Sequence, residues 1–146
     1  MAPLARRTPQ RSGTGLSVAL WVVQILLAAL FLNAGFLKGT QPIASIAPMI
    51  PWAPDVPEPL VRFIGVSELA GAIGLVLPAW TRIRPTLTPL AACGLVVVML
   101  LAALFHISRG EWMNVPFVLT LGALAAFVAW GRLTRAPIPP RKTMPA

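Results

Sequence analysis

Glu68 is the residue best placed to do chemistry, because it lies inside an apolar, glycine-rich stretch, "VRFIGVSELAGAIGLVLP", from Val61 to Pro78. A carboxylate in a membrane helix is costly, about +2.5 to +3.5 kcal/mol for a central acid on insertion scales. It has to be paired, hydrogen-bonded or protonated, and those states lead respectively to helix pairing, ligand binding and proton exchange. Lys38 and His106, the only histidine, are partners within reach by depth. An imidazole can take up or pass on a proton near neutral pH. Asn33 adds an amide that can hydrogen-bond a carbonyl or another helix. Lys38, Glu68 and His106 are therefore the candidate catalytic residues, and Asn33, Glu68 and His106 the candidate ligand-binding set. Metal ligation has no candidate, since His106 and Cys93 are each single in the sequence.

The elements that position these groups are apolar segments. The chain has 146 residues, is 57% hydrophobic and only 11% charged. A soluble domain carries about 25% charged residues, so this composition indicates an integral membrane protein. Spans are expected at about 16–37, 61–77, 86–107 and 115–131, each close to the roughly 17–25 residues that cross a hydrocarbon core. All four are rich in small residues that permit close helix packing, which predicts an all-α, compact four-helix bundle. A basic tail covers residues 1–15, the outer loop 38–60 holds six prolines, and residues 132–146 read as a disordered basic tail. The loop is also apolar around "PIASIAPMIPW", so it reads either as an interfacial cover over the bundle or as an ordinary ordered loop. The 22-residue first segment is too long for a cleaved signal and reads as a retained anchor.

Charge sets the orientation. Arg6, Arg7, Arg11, Arg82, Arg84, Arg132, Arg135, Arg141 and Lys142 fall on one side, and Lys38, Arg62 and Arg109 on the other. The positive-inside rule then puts both termini in the cytoplasm of a cell inner (plasma) membrane. Trp21, Trp80 and Trp130 at one level, with Trp52 and Trp112 at the other, fit two aromatic belts. The +8 formal charge does not imply nucleic acid, because the basic residues lie in tails and loops rather than on one face. Glu68 lies on the order of 10 Å below the start of its span at 1.5 Å per residue. Asn33, Lys38, Arg62, Glu68, His106 and Asn114 all fall in the outer half, with Gln24 alone toward the inner side. On the second span Gly65, Glu68, Gly71, Ala72 and Leu75 share one face, which turns Glu68 into the bundle. Arg62 is expected to reach the headgroups, Asn114 to cap the fourth span, and Cys93 to serve packing.

Three stretches, "FLNAGFLKG", "GVSELAGAIGLVLP" and "LLAALFHISRGEW", together resemble the DoxX-like membrane protein family over about Leu16 to Gly131. The resemblance implies a four-helix membrane protein in which Lys38 and Glu68 match the family's polar pair and His106 its third-span histidine. It also implies a possible place as a membrane subunit of a quinone-linked or oxidative-stress-related redox system; one branch is associated with thiosulfate–quinone oxidoreductase. Quinone is then the cofactor to expect, and a redox protein or a second copy the partner, within the lipid bilayer. The residues also allow a proton-coupled small-molecule carrier built on Glu68. A third reading is a membrane assembly or structural partner whose glycine-rich faces receive other helices.

Overall fold

The computed structural model describes residues 12–141, and every regular element among them is helical. Four helices are long and apolar enough to cross a membrane. They are α1 (Ser12–Thr40), α3 (Glu58–Thr81), α4 (Leu87–Ser108) and α5 (Val115–Trp130), the last continued by a π-helical turn over Gly131–Arg135. The one-turn α2 (Ile43–Ile46) and a 3-10 turn at Ala53–Asp55 lie between α1 and α3. Arg6, Arg7, Arg11 and Lys142 lie outside the described residues.

The helices run beyond most of the apolar segments that mark them. With 29 residues, α1 is about 43 Å long at 1.5 Å per residue, against a hydrocarbon core of roughly 30 Å. Hydropathy marks only the part that needs lipid, whereas a helix continues freely into the headgroup layer. At its start, α3 has Pro57 before and Pro59 within the first turn, where proline has no helix hydrogen bond to lose. Glu58 in that turn favours the positive end of the helix dipole. The largest departure is at the far end. The tail expected to be disordered from residue 132 instead carries the helix to Arg135, and the Arg141 N–H donates to the Arg82 carbonyl at 3.1 Å.

Packing follows the small residues. α1 lies chiefly on α3, α4 on α5, and α3 joins the two pairs. Gly71 faces Leu95, Gly74 faces Ala91, and Gly122 faces Met99, each so closely that an added methyl group would touch the neighbouring side chain. Leu27, Phe31, Leu75, Leu95 and Val128 form the centre of the core. Phe63, Leu90, Leu101, Leu104 and Phe117 are exposed around the outside, as a lipid-facing surface requires. Lipid is as apolar as these side chains, so close backbone approach rather than hydrophobic burial holds such helices together.

The proline-rich loop is a cover. Ile46 and Ala53 bury themselves against Val61 of α3, with Leu37 of α1 and the loop's own Ile43, Ile50 and Trp52 around them. The end of the bundle under this cover is the loop end. The other is the terminal end, where Ser17, Arg82, Arg132 and Arg141 come together.

Candidate functional site

At the loop end α1 and α3 meet backbone to backbone. A Cβ built on Gly65 would lie 2.6 Å from the Gly39 nitrogen and 2.9 Å from the Lys38 carbonyl carbon. One on Gly35 would lie 2.7 Å from the Gly65 carbonyl oxygen. Lys38 stands three residues after Gly35, and Glu68 three after Gly65, so each charge rises from the same face as its glycine. The close approach brings the two side chains into a bidentate pair. Lys38 Nζ donates to Glu68 Oε1 at 2.5 Å and to Oε2 at 2.6 Å. Glu68 is 3% exposed and Lys38 8%. Both carboxylate oxygens are thus engaged by one ammonium, in surroundings where water does not compete.

Arg62 does not extend to the headgroups. Its guanidinium donates to the carbonyls of Lys38 and Gln41, at 2.8 and 2.7 Å, and to Glu58. It satisfies the open carbonyls at the C-terminal end of α1, which fixes the turn that carries Lys38. The main-chain grip wins because those carbonyls lie within one arginine length of α3.

His106 is buried nearby on α4, but its partner is Glu111 rather than Glu68. His106 Nδ1 lies 2.6 Å from Glu111 Oε2, an arrangement in which Nδ1–H donates to the carboxylate. Glu111 also accepts from Arg109 Nε at 2.6 Å, and Arg109 donates onward to Asp55 in the loop at 2.6 Å. The Arg109 guanidinium stacks over Phe105, which packs edge-on against Trp52. Asp55–Arg109–Glu111–His106 therefore ties the loop cover to α4. Asn114 occupies the first position before α5, yet its side chain makes no cap and reaches Glu111 instead, at 3.4 Å.

The hydrogen bonds from Arg109 and His106 hold the Glu111 carboxyl below the usual carboxylate range. A depressed folded value means that Glu111 contributes stability above the ordinary carboxylate pKa and loses it as pH falls through the lowered one. Hydrogen exchange of the amides over 43–56, taken relative to the intrinsic rate at each pH, should therefore stay slow at neutral pH and quicken on strong acidification. Arg109→Gln should quicken it at neutral pH, by roughly a few-fold, as befits an exposed network. Exchange unchanged in both cases would mean that this network does not hold the cover.

Asn33, grouped with these residues by depth, is exposed on the outer surface of the bundle and joins neither pair. Cys93 is likewise exposed rather than packed inside. No group of three or more His, Cys, Asp or Glu side chains is placed to hold a metal ion among the described residues.

A second polar node lies at the terminal end. Gln24 is fully buried; its Nε2 donates to the Leu75 carbonyl at 2.5 Å, and its Oε1 accepts from Arg132 Nε at 2.7 Å. Arg132 reaches it because the wide π turn, with Gly131 tight against Leu20, rotates the side chain into the bundle. The helix of residue 131 onward gives no sequence signal of that rotation. The available clue was Gln24, a buried amide that needs a partner. Separately, Val96, Met99, Leu119, Gly122 and Ala126 line an apolar groove of about 210 Å³ between α4 and α5.

Four packed spanning helices, with a buried ion pair joining the first two, make this a small helical membrane protein. Within that class the chain belongs to the DoxX-like family, whose model matches residues 22–128. The match includes Asn33, Lys38, Glu68 and His106 and ends before Arg132. No curated protein and no solved structure matches the chain.

Proposed function

We propose that this protein is the membrane subunit of a quinone-linked redox system, with its proton-exchanging groups at the loop end. The observation that supports the reading is one of placement. Lys38, the only histidine and all four acidic residues lie at one end of the bundle. Every pair there joins residues of different elements or loops, except Glu58–Arg62, within α3, and Arg109–Glu111, within one loop. Quinone reduction needs protons delivered to the carbonyl oxygens and electrons from a reduced centre, here a partner protein's. Lys38 can donate a hydrogen bond to a carbonyl and Glu68 can carry a proton once the pair opens. Glu111, partly exposed, links His106 to the surface at the same end of the bundle. The groove on α4 and α5 has the polarity for an isoprenoid chain.

One observation weighs against the assembly reading. Gly35, Gly65, Gly71, Gly74 and Gly122 already receive this chain's own residues, so those faces are not open to a foreign helix. In the redox reading the loop end faces outward from an inner membrane and the terminal end is cytoplasmic. The segregation of unpaired arginines to the terminal end supports that orientation.

The test is an inventory by mass spectrometry of what co-purifies in mild detergent with wild type and with Lys38→Met/Glu68→Met. The double substitution removes the proton chemistry without leaving a buried charge unpaired. Quinone or a redox protein should accompany wild type and be absent from the folded double variant. Identical inventories would sink the redox reading.

A further inference from the structure

A cleft of about 410 Å³ opens at the terminal end, within the range of small-ligand sites. Its walls include Ser17 and Trp21 of α1, Trp80 and Arg82 at the end of α3, Arg132 in the π turn, and Arg135. No carboxylate lines it among the described residues. Arg132 is 4% exposed and held from three sides: Nε on Gln24, Nη1 on Ser17 and on the Ala136 carbonyl, and the ring of Trp21 against its face. Its Nη2 is buried with no hydrogen-bond partner among the described residues. A buried guanidinium nitrogen left unpaired is expensive.

The charge around it has no internal answer. Every ion pair among the described residues lies at the loop end, and Arg82, Arg84, Arg132, Arg135 and Arg141 make none. Arg82 also sits at φ 58°, in the left-handed position after α3 where glycine fits with least strain. An arginine there places a charge on the cleft at a conformational cost. Trp80, 75% exposed, stands beside the opening at the level where indole rings meet headgroups.

We propose that this cleft binds a phosphate-bearing anion, with Arg132 as its buried anchor and Arg82 and Arg135 at its rim. Guanidinium groups match phosphate oxygens in bidentate geometry, and a small shift of the Arg132 side chain toward the cleft would let the anion supply the partner that the buried Nη2 lacks. Two sources share that chemistry: the headgroup of an anionic phospholipid and free inorganic phosphate. The opening beside Trp80 favours the lipid.

Native mass spectrometry of the full chain in mild detergent tests this, with phosphatidylglycerol, phosphatidylcholine and inorganic phosphate titrated separately. Wild type should retain one phosphatidylglycerol and show no comparable binding of phosphatidylcholine. Arg132→Gln should weaken that binding at least tenfold. Arg82→Gln/Arg135→Gln leaves the Gln24 link intact, so it should fold normally and weaken binding several-fold. Inorganic phosphate that binds with the same arginine dependence, where the lipid does not, would identify the free ion as the source. Wild-type affinity in Arg82→Gln/Arg135→Gln, or no binding of either phosphate probe to wild type, would overturn the proposal.

Discussion

Glu68→Gln is expected to destabilise the bundle by about 3–5 kcal/mol, the usual cost of removing one partner from a buried pair. The loss is large because Lys38 is only 8% exposed and Glu68 is its one ion-pair partner among the described residues. Lys38→Met should cost a comparable amount by leaving the carboxylate alone. Lys38→Met/Glu68→Met should recover most of either loss, since well-packed apolar residues replace a buried pair at little net cost. Reversible denaturation in mixed micelles measures all three variants. A coupling energy near zero in that cycle would show that the two side chains do not meet.

Gly65→Leu should have an equal or larger effect by a different route. The first added carbon would already lie 2.6 Å from the Gly39 nitrogen, 2.9 Å from the Lys38 carbonyl carbon and 3.0 Å from the Gly35 carbonyl oxygen. All three are backbone atoms, so no rotamer change relieves the contact, and α1 must move off α3. The cost should exceed the roughly 1–3 kcal/mol of ordinary core overpacking, and the ion pair should be lost with it. Gly94→Ala is the control. Nothing lies within 4 Å of its added carbon, so the change should be neutral or stabilising, by up to about 1 kcal/mol from helix propensity. Thermal unfolding and size-exclusion profiles of the two variants compare them directly. Equal stability of Gly65→Leu and wild type would refute the close contact.

The part of the site that was legible in the sequence was legible because lipid penalises polar groups. Glu68 had to turn inward and find a partner, and its glycine-rich face showed which way. The spacing Gly35 to Lys38, matching Gly65 to Glu68, would have chosen Lys38 over His106, but only once the two glycines are known to face each other. For α1 and α4, rotation about the helix axis is what stayed hidden. In these spans the inner and outer faces are almost equally apolar, so nothing in the periodicity separates the buried Phe31 from the exposed Asn33, or the buried Ala92 from the exposed Cys93. Counting residues gives depth but no direction, which is why Asn33 falls in the same group as Lys38 and Glu68 in the sequence yet is exposed in the structure.

The terminal end was harder to read for a local reason. Arg132 follows the last apolar residue of the fourth segment, the usual place for a solvated basic residue. A π turn changes the angular step, and that single change moves a tail arginine into the core beside Gln24. The proline-rich loop was readable in composition only. Its role as a cover depends on Ile46 and Ala53 meeting Val61, a contact between distant parts of the chain.

The most direct measurement is a nitrogen–carbon dipolar coupling experiment by solid-state NMR on the protein in lipid bilayers. Lysine is labelled with ¹⁵N at Nζ and glutamate with ¹³C at the carboxyl carbon. The sequence makes the result simple to assign, since its only lysines are Lys38 and Lys142 and its only glutamates are Glu58, Glu68 and Glu111. Lys38 touches Glu68 alone among the glutamates. A strong coupling that disappears in Glu68→Gln is the predicted result. No coupling in wild type would mean that Lys38 and Glu68 are apart in the membrane, and the candidate site would have to be sought elsewhere.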